Sequence, residues 1–208
     1  MHERFAANEM TTEKTLPIFP LSAVVLPGEE LYLHIFEPRY KQLMQYAEEN
    51  GASFGIPFVS NKTLKDFGSE VKLKSVFSRS SNGELDISVI GVGIFRLTEV
   101  LESDSTLYTQ ALVEPCSVNT SITLDQALPK WVHQYLELKN GKASTIPEHV
   151  EMNSFDAALL LSLHPEKKYR LLELQVEADR QNWLINELKV MIQARKQEIV
   201  LQDNFIMN

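Results

Sequence analysis

The run Gly51-Ala52-Ser53-Phe54-Gly55 has the Gly-x-Ser-x-Gly spacing of a hydrolase nucleophile elbow. That motif works when a strand leads through a strained turn into a helix, which exposes the serine oxygen. Here the flanking patterns run the other way, with a helix ending at Gly51 and a strand beginning near Ser53. Gly51 therefore reads as a helix cap, and no catalytic residue is expected. The five histidines, His2, His34, His133, His149 and His164, form no His-x-x-x-His pair. No metal site is expected from such spacing. Cys116, the only cysteine, excludes an internal disulfide and a four-thiolate metal site and is expected as a free structural thiol. Gly91-x-Gly93 has Arg96 where a dinucleotide fingerprint needs its third glycine, and it lies in a strand pattern. No cofactor is expected.

The remaining candidates point to binding rather than to bond-making. Tyr32, Phe36, Tyr40 and Phe58, with His34 among them, would line a groove for apolar peptide segments. Two of the four aromatic rings are expected in the core, and the residue types do not say which two. His34 itself, beside Phe36 on a strand face, is expected as a packed and hydrogen-bonded imidazole. Glu37 and Arg39 are expected as a structural charged pair at a strand–helix junction, with Glu37 favoured by the helix dipole.

The elements that must hold these residues follow from periodicity. Leu16 to Leu21, with prolines at 17 and 20, suits an edge strand or extended segment, and Pro27-Gly28 marks a turn. Leu31, Leu33 and Ile35 alternate with Tyr32, His34 and Phe36, a strand with bulky residues on both faces and so expected to be covered on both. Pro38 then opens a helix whose Tyr40, Leu43, Met44 and Ala47 form one stripe. A strand is expected over Ser53–Val59. A hairpin comes next, in which Val71, Leu73, Ser75 and Phe77 share a face, Asn82-Gly83 turns the chain, and Leu85, Ile87 and Val89 return. Gly91 and Gly93 predict a bulge or barrel corner before Phe95–Val100, and a last strand runs from Leu107 to Glu114, closed by Pro115. Beyond about residue 122 the period changes to helical. Leu128, Trp131, Val132, Tyr135 and Leu136 share one face, and Asn140-Gly141 ends that helix before a loop to Pro147. Asn153 or Ser154 caps the next helix, through Leu163, and another spans Glu166–Leu174. The last helix starts near Asp179, with Leu184, Leu188, Met191 and Ile192 on its stripe, a face for self-association or for packing on Trp131 and Leu160.

Charge narrows the function further. Twenty basic and 28 acidic side chains leave a net charge of −8, a global field that repels phosphate and makes nucleic acid an unfavoured partner. Locally, Lys62, Lys65, Lys72, Lys74 and Arg79 exceed Asp66 and Glu70 by three, which reads as a solvated face. No run approaches the roughly 18 apolar residues of a membrane span, and no apolar leader follows Met1. A soluble, cytoplasmic protein is expected.

The segments Leu16-Pro17-Ile18-Phe19-Pro20-Leu21, Val24-Val25-Leu26-Pro27-Gly28 and Leu31 to Tyr40 resemble the opening of the Lon protease amino-terminal substrate-binding domain. Asn82-Gly83 and Ile87 to Leu97 resemble that family's hairpin and glycine-containing strand, and the similarity continues through Leu160–Leu174 and from Arg180 onward. The resemblance implies an α+β fold: a PUA-like β pseudo-barrel with one inserted helix, followed by a C-terminal α-helical bundle. The expected boundaries are a flexible tail at 1–13, a β-rich part at 14–118 and a helical part at 122–208, together one domain. It further implies a non-catalytic module for unfolded or apolar polypeptide segments, working with a separate protease or chaperone. An RNA-binding or small-ligand-binding PUA-like barrel is the alternative. No Gly-x-x-x-x-Gly-Lys-[Ser/Thr] is present, since Gly141-Lys142 is followed by Ala143, so the family's ATPase chemistry is not expected here, nor is its peptidase activity.

Overall fold

Alternating apolar residues, punctuated by left-handed turns, build the first part of the chain into strands. The computed structural model describes residues 12–102, 105–118, 127–141 and 150–206. Its strands are β1 (Lys14–Pro17), β2 (Glu30–Ile35), β3 (Ser53–Ser60), β4 (Thr63–Arg79), β5 (Leu85–Leu101) and β6 (Gln110–Cys116), with helix α1 (Pro38–Asn50) inserted after β2. They form one antiparallel sheet in the order β1-β6-β5-β4-β3, with β2 also paired to β5. β4 occupies one side of β5 along residues 85–96. The other side is therefore shared in sequence by β2, along 85–90, and β6, along 94–101.

Three details depart from the pattern expected of the sequence. β4 begins at Thr63 rather than at Val71, because Asn61 and Lys62, with φ of 51° and 64°, make a second tight hairpin. Positive φ at both central residues matches the twist of the flanking strands, and only the asparagine signals it in the sequence. β6 runs through Pro115 to Cys116, since Pro115 lies past the end of the β1 pairing, where β6 has only β5 beside it among the described residues. β2 is covered on one face only. Leu31, Leu33 and Ile35 turn to the core, while Tyr32 and His34 are exposed, as is Phe36 just beyond.

The bulge at the two glycines is present. Glu70 pairs with Gly93 and Val71 with Gly91, leaving Val92 as the extra residue. The stripe Tyr40, Leu43, Met44 and Ala47 of α1 joins Ile35, Phe54, Ile56, Val71, Ile87 and Val89 in one cluster. A second cluster holds Leu16, Ile18, Phe95, Ala111 and Val113.

The chain divides into two compact units at Ser117–Val118. The second contains α2 (Ala127–Asn140), α3 (Ser154–Leu161), α4 (Pro165–Glu173) and α5 (Glu177–Ile206). There α2 packs on α5 and α3, and α3 on α5. Leu128, Val132, Leu184 and Leu188 are fully buried, so the α5 stripe is interior packing and not a free face. Asn153 caps α3, accepting from the amides of Phe155 and Asp156, while Asp156 answers back to the Asn153 amide. This reciprocal box is worth about 1 kcal/mol to the helix start. The helix ends at Leu161 rather than Leu163 because Ser162 turns left-handed. Most of the expected tail, the loop to Pro147, His2 and His149 lie outside the described residues. No helix among the described residues is long and apolar enough to cross a membrane.

Candidate functional site

Strand alternation puts Tyr32 and His34 on the outer face of β2, opposite Ser88 and Asp86 of β5. β4 lies on the far side of those residues, with Ser75 opposite Ser88 and Ser78 opposite Asp86. Phe77 of β4 thereby reaches the same face, and its ring stacks on Tyr32 at 5.7 Å between centroids. His34 stacks on Phe36 at 6.1 Å. Tyr32 is 66% exposed, and Phe36 and Phe77 are each 59% exposed. The two stacked pairs, Tyr32 on Phe77 and His34 on Phe36, leave three large rings exposed around the end of β2, the kind of surface that marks an interaction site.

Alternation alone assigns Phe77 to the same face as Val71 and Leu73. Register shifts between Leu73 and Ser75 and between Val76 and Ser78 reset that alternation. Each bulge adds one residue and so reverses the facing of the residues after it. Leu73 and Val76 consequently pack on the core while Phe77 points out. A β-branched and aromatic strand gives no sequence sign of where such shifts fall.

The rim of the patch is charged. His34 Nδ1 lies 2.8 Å from Asp86 Oδ1, Ser78 Oγ donates to Asp86 Oδ2 at 2.5 Å, and Glu84 is 3.6 Å from His34 Nε2. The Ser78 hydroxyl, and after it His34, hold the Asp86 carboxyl below the usual carboxylate range. Lys74 pairs with Glu30, lowering the Glu30 carboxyl and raising its own ammonium. Depressed carboxylates contribute their share of stability above the ordinary carboxylate range and lose it as pH falls through the lowered value. Asp86 and Glu30 therefore keep their charge into mild acid. His34, expected to be packed, is half in solvent, because the face it occupies is the uncovered one. Ser78 donates to Asp86 and not to the imidazole, so this serine, aspartate and histidine do not form the nucleophile–base pair of acyl-transfer enzymes.

Tyr40 and Phe58 are the two core members of the expected aromatic group, 7% and 3% exposed. The Tyr40 ring lies 3.9 Å from that of Phe19. Arg39 donates to Glu37 at 2.8 Å and lies over the Tyr40 ring at 4.5 Å, joining strand end to helix start. Burial raises the Tyr40 hydroxyl above its ordinary value, and Tyr108 is raised for the same reason. A raised folded value means that stability is fully present below about pH 10 and lost as pH rises through the folded value. Tyr40→Phe is expected to flatten the alkaline fall in stability, read by urea unfolding at stepped pH. An unchanged alkaline slope would count against this assignment.

Ser53 of the elbow-like run starts β3, and its hydroxyl donates to Glu70 Oε1 at 2.6 Å. Glu70 also takes Lys14 at 2.8 Å on both oxygens. Gly51, with φ of 59°, caps α1 through a bond to the Ala47 carbonyl. Within the basic run, Lys74 and Arg79 are paired to Glu30 and Glu48. No group of three or more potential metal ligands occurs among the described residues.

The described residues have a mixed architecture, a six-stranded antiparallel sheet and five helices, and this fold is that of Lon amino-terminal domains. A Lon N-terminal domain protein from Xanthomonas campestris superposes with a TM-score of 0.66 at 22% identity, covering 83% of this chain and 98% of that one. The N-terminal domain of the Mycobacterium avium complex Lon protease gives 0.61 at 18% identity, covering 85% and 98%. The chain belongs to the ATP-dependent protease La (LON) substrate-binding domain family, whose model matches residues 15–190. No curated protein sequence matches it.

Proposed function

We propose that this LON-family domain is a non-catalytic recognition module that binds unfolded or apolar polypeptide through the outer face of β2 and β4. The observation that carries this reading is the exposed Tyr32, Phe36 and Phe77 patch on a chain of the substrate-binding family. Aromatic rings supply large contact area with few rotatable bonds, which is why they dominate binding energy at interfaces. His34, Asp86 and Ser78 form a polar rim that orients a bound segment. Tyr40 and Phe58 act behind the surface, as packing.

Ile18 bridges Gly55 and Leu21 bridges Phe58 in parallel, which supports closure of the sheet into a PUA-like pseudo-barrel. The family match runs across both compact units, which supports one domain over about 14–208. Bound segments would pass to a protease or chaperone in the cytoplasm.

Denatured casein is the probe. Tyr32→Ala, Phe36→Ala and Phe77→Ala are each expected to weaken its binding by up to about tenfold, while unfolding free energy stays within about 0.5 kcal/mol of wild type. A triple variant that captures casein as well as wild type would sink the proposal. A salt-sensitive RNA complex that survives those substitutions would favour the nucleic-acid alternative instead.

A further inference from the structure

We infer that the occupant of this site is an extended polypeptide strand that pairs with the open edge of β2, carrying apolar residues beside a lysine or arginine; the inference rests on the polypeptide-binding reading above. β2 has one strand partner among the described residues, β5. The register is unbroken from Glu30 opposite Ile90 to Ile35 opposite Leu85. Just before it, the Gly91 amide donates to the Glu29 carbonyl at 2.9 Å. In an antiparallel ladder the bonded residues alternate, so Glu29, Leu31 and Leu33 turn their backbone groups toward β5. Glu30, Tyr32 and His34 then turn theirs outward, and no backbone partner for those groups is found among the described residues. Leu31 and Leu33 are only half-buried although they face the core, as side chains at an uncovered edge are.

An unpaired row of N–H and C=O groups is a template for another strand. The outward backbone groups at Tyr32 and His34 belong to the same residues whose rings stand on the exposed face. A strand added there would place every second side chain against the aromatic patch. Charge decides what that strand carries. Glu30 and Glu37 are neutralised by Lys74 and Arg39, but Glu84 and Asp86 face His34, Asp86 also accepting from the Ser78 hydroxyl, with no lysine or arginine ion pair among the described residues. A basic side chain in the guest would meet these two carboxylates and lie near the faces of Tyr32 and Phe36, where a cation is attracted. A guest with acidic residues would meet like charge.

The probe is a short peptide of alternating valine and arginine, compared with a valine–glutamate peptide and with the same valine–arginine peptide methylated at every backbone amide. Methylation keeps the side chains and removes the donors. Both controls are expected to bind at least about tenfold more weakly, the methylated peptide through one or two lost hydrogen bonds and the glutamate peptide through like charge. On the protein side, His34→Pro removes an outward N–H, which an edge strand tolerates, whereas His34→Ala keeps it. His34→Pro is expected to lose the peptide, whereas His34→Ala, which keeps the N–H and removes only the rim imidazole, is expected to weaken it far less. Should His34→Pro fail to fold by circular dichroism, the methylated peptide decides alone. Undiminished binding of the methylated peptide, or by folded His34→Pro, overturns edge pairing. So does a peptide that fails to bind while denatured casein is still captured, which leaves the wider reading standing. Failure of both peptide and casein removes the wider reading as well.

Discussion

Arg180→Ala is expected to destabilise the helical unit by about 3–5 kcal/mol, the cost of leaving a buried charge without its partner. Arg180 and Glu177 are each only 1% exposed. The guanidinium Nη2 donates to Glu177 Oε2 at 2.8 Å and Nη1 to the Leu174 carbonyl at 2.7 Å. Glu177 also accepts from the Ser154 amide, the Ser154 hydroxyl and the Gln181 amide, each at 2.7 Å. The guanidinium stacks over the Phe155 ring at 4.7 Å. One side chain thus ties the start of α5 to the start of α3 and to the end of the α4 connection. Removing it leaves the carboxylate desolvated and opens a void the size of an arginine. Urea unfolding followed by helical circular dichroism gives the magnitude. A cycle with Glu177→Ala should show strong coupling, the double variant losing much less than the sum of the singles. A loss below about 1 kcal/mol for Arg180→Ala would show that the network relaxes into solvent.

The second large effect separates two glycines that look alike in sequence. A Cβ at Gly91 would stand 2.1 Å from the Leu26 carbonyl oxygen and 2.9 Å from its carbon. The clash is with backbone, held in place by the Gly28 amide bonding to the Gly91 carbonyl at 2.9 Å. No rotamer relieves it, so the turn before β2 must move off the bulge. Gly91→Ala is expected to cost about 3 kcal/mol or more, at the upper end of overpacking. A Cβ at Gly93 would lie 3.5 Å from Glu70 Oε2, ordinary contact. Gly93→Ala is therefore expected within about 0.5 kcal/mol of wild type. Equal denaturation midpoints for the two variants would contradict the close approach at Gly91.

Burial of the Glu177–Arg180 pair has a sequence signal that charge conceals. Glu177, Arg180, Gln181, Leu184 and Leu188 lie at i, i+3, i+4, i+7 and i+11, so the polar residues continue the apolar stripe of α5. A stripe ending in glutamate and arginine at helical spacing is either a solvated first turn or a buried pair. Only the arrival of Ser154 and Phe155 against it selects the second.

The binding face divides the same way. The composition of β2 is plain, with rings at Tyr32 and Phe36, and the junction of Glu37, Pro38 and Arg39 marks the helix after it. Which of Tyr32, Phe36, Tyr40 and Phe58 meet solvent depends on where α1 and β3 pack, a property of distant chain. Phe77 is hidden by bulges, which change parity without changing composition.

Sequence by itself determined the period of each segment, the helix caps, the glycine bulge and the resemblance to the LON family, because these rest on local backbone preference and on side chains a few residues apart. Tertiary structure alone decided the covered face of β2, the outward turn of Phe77, the burial of Arg180 and the approach of Leu26 to Gly91. Each of those depends on residues tens of positions apart, whose meeting is set by strand register and helix docking rather than by any local propensity.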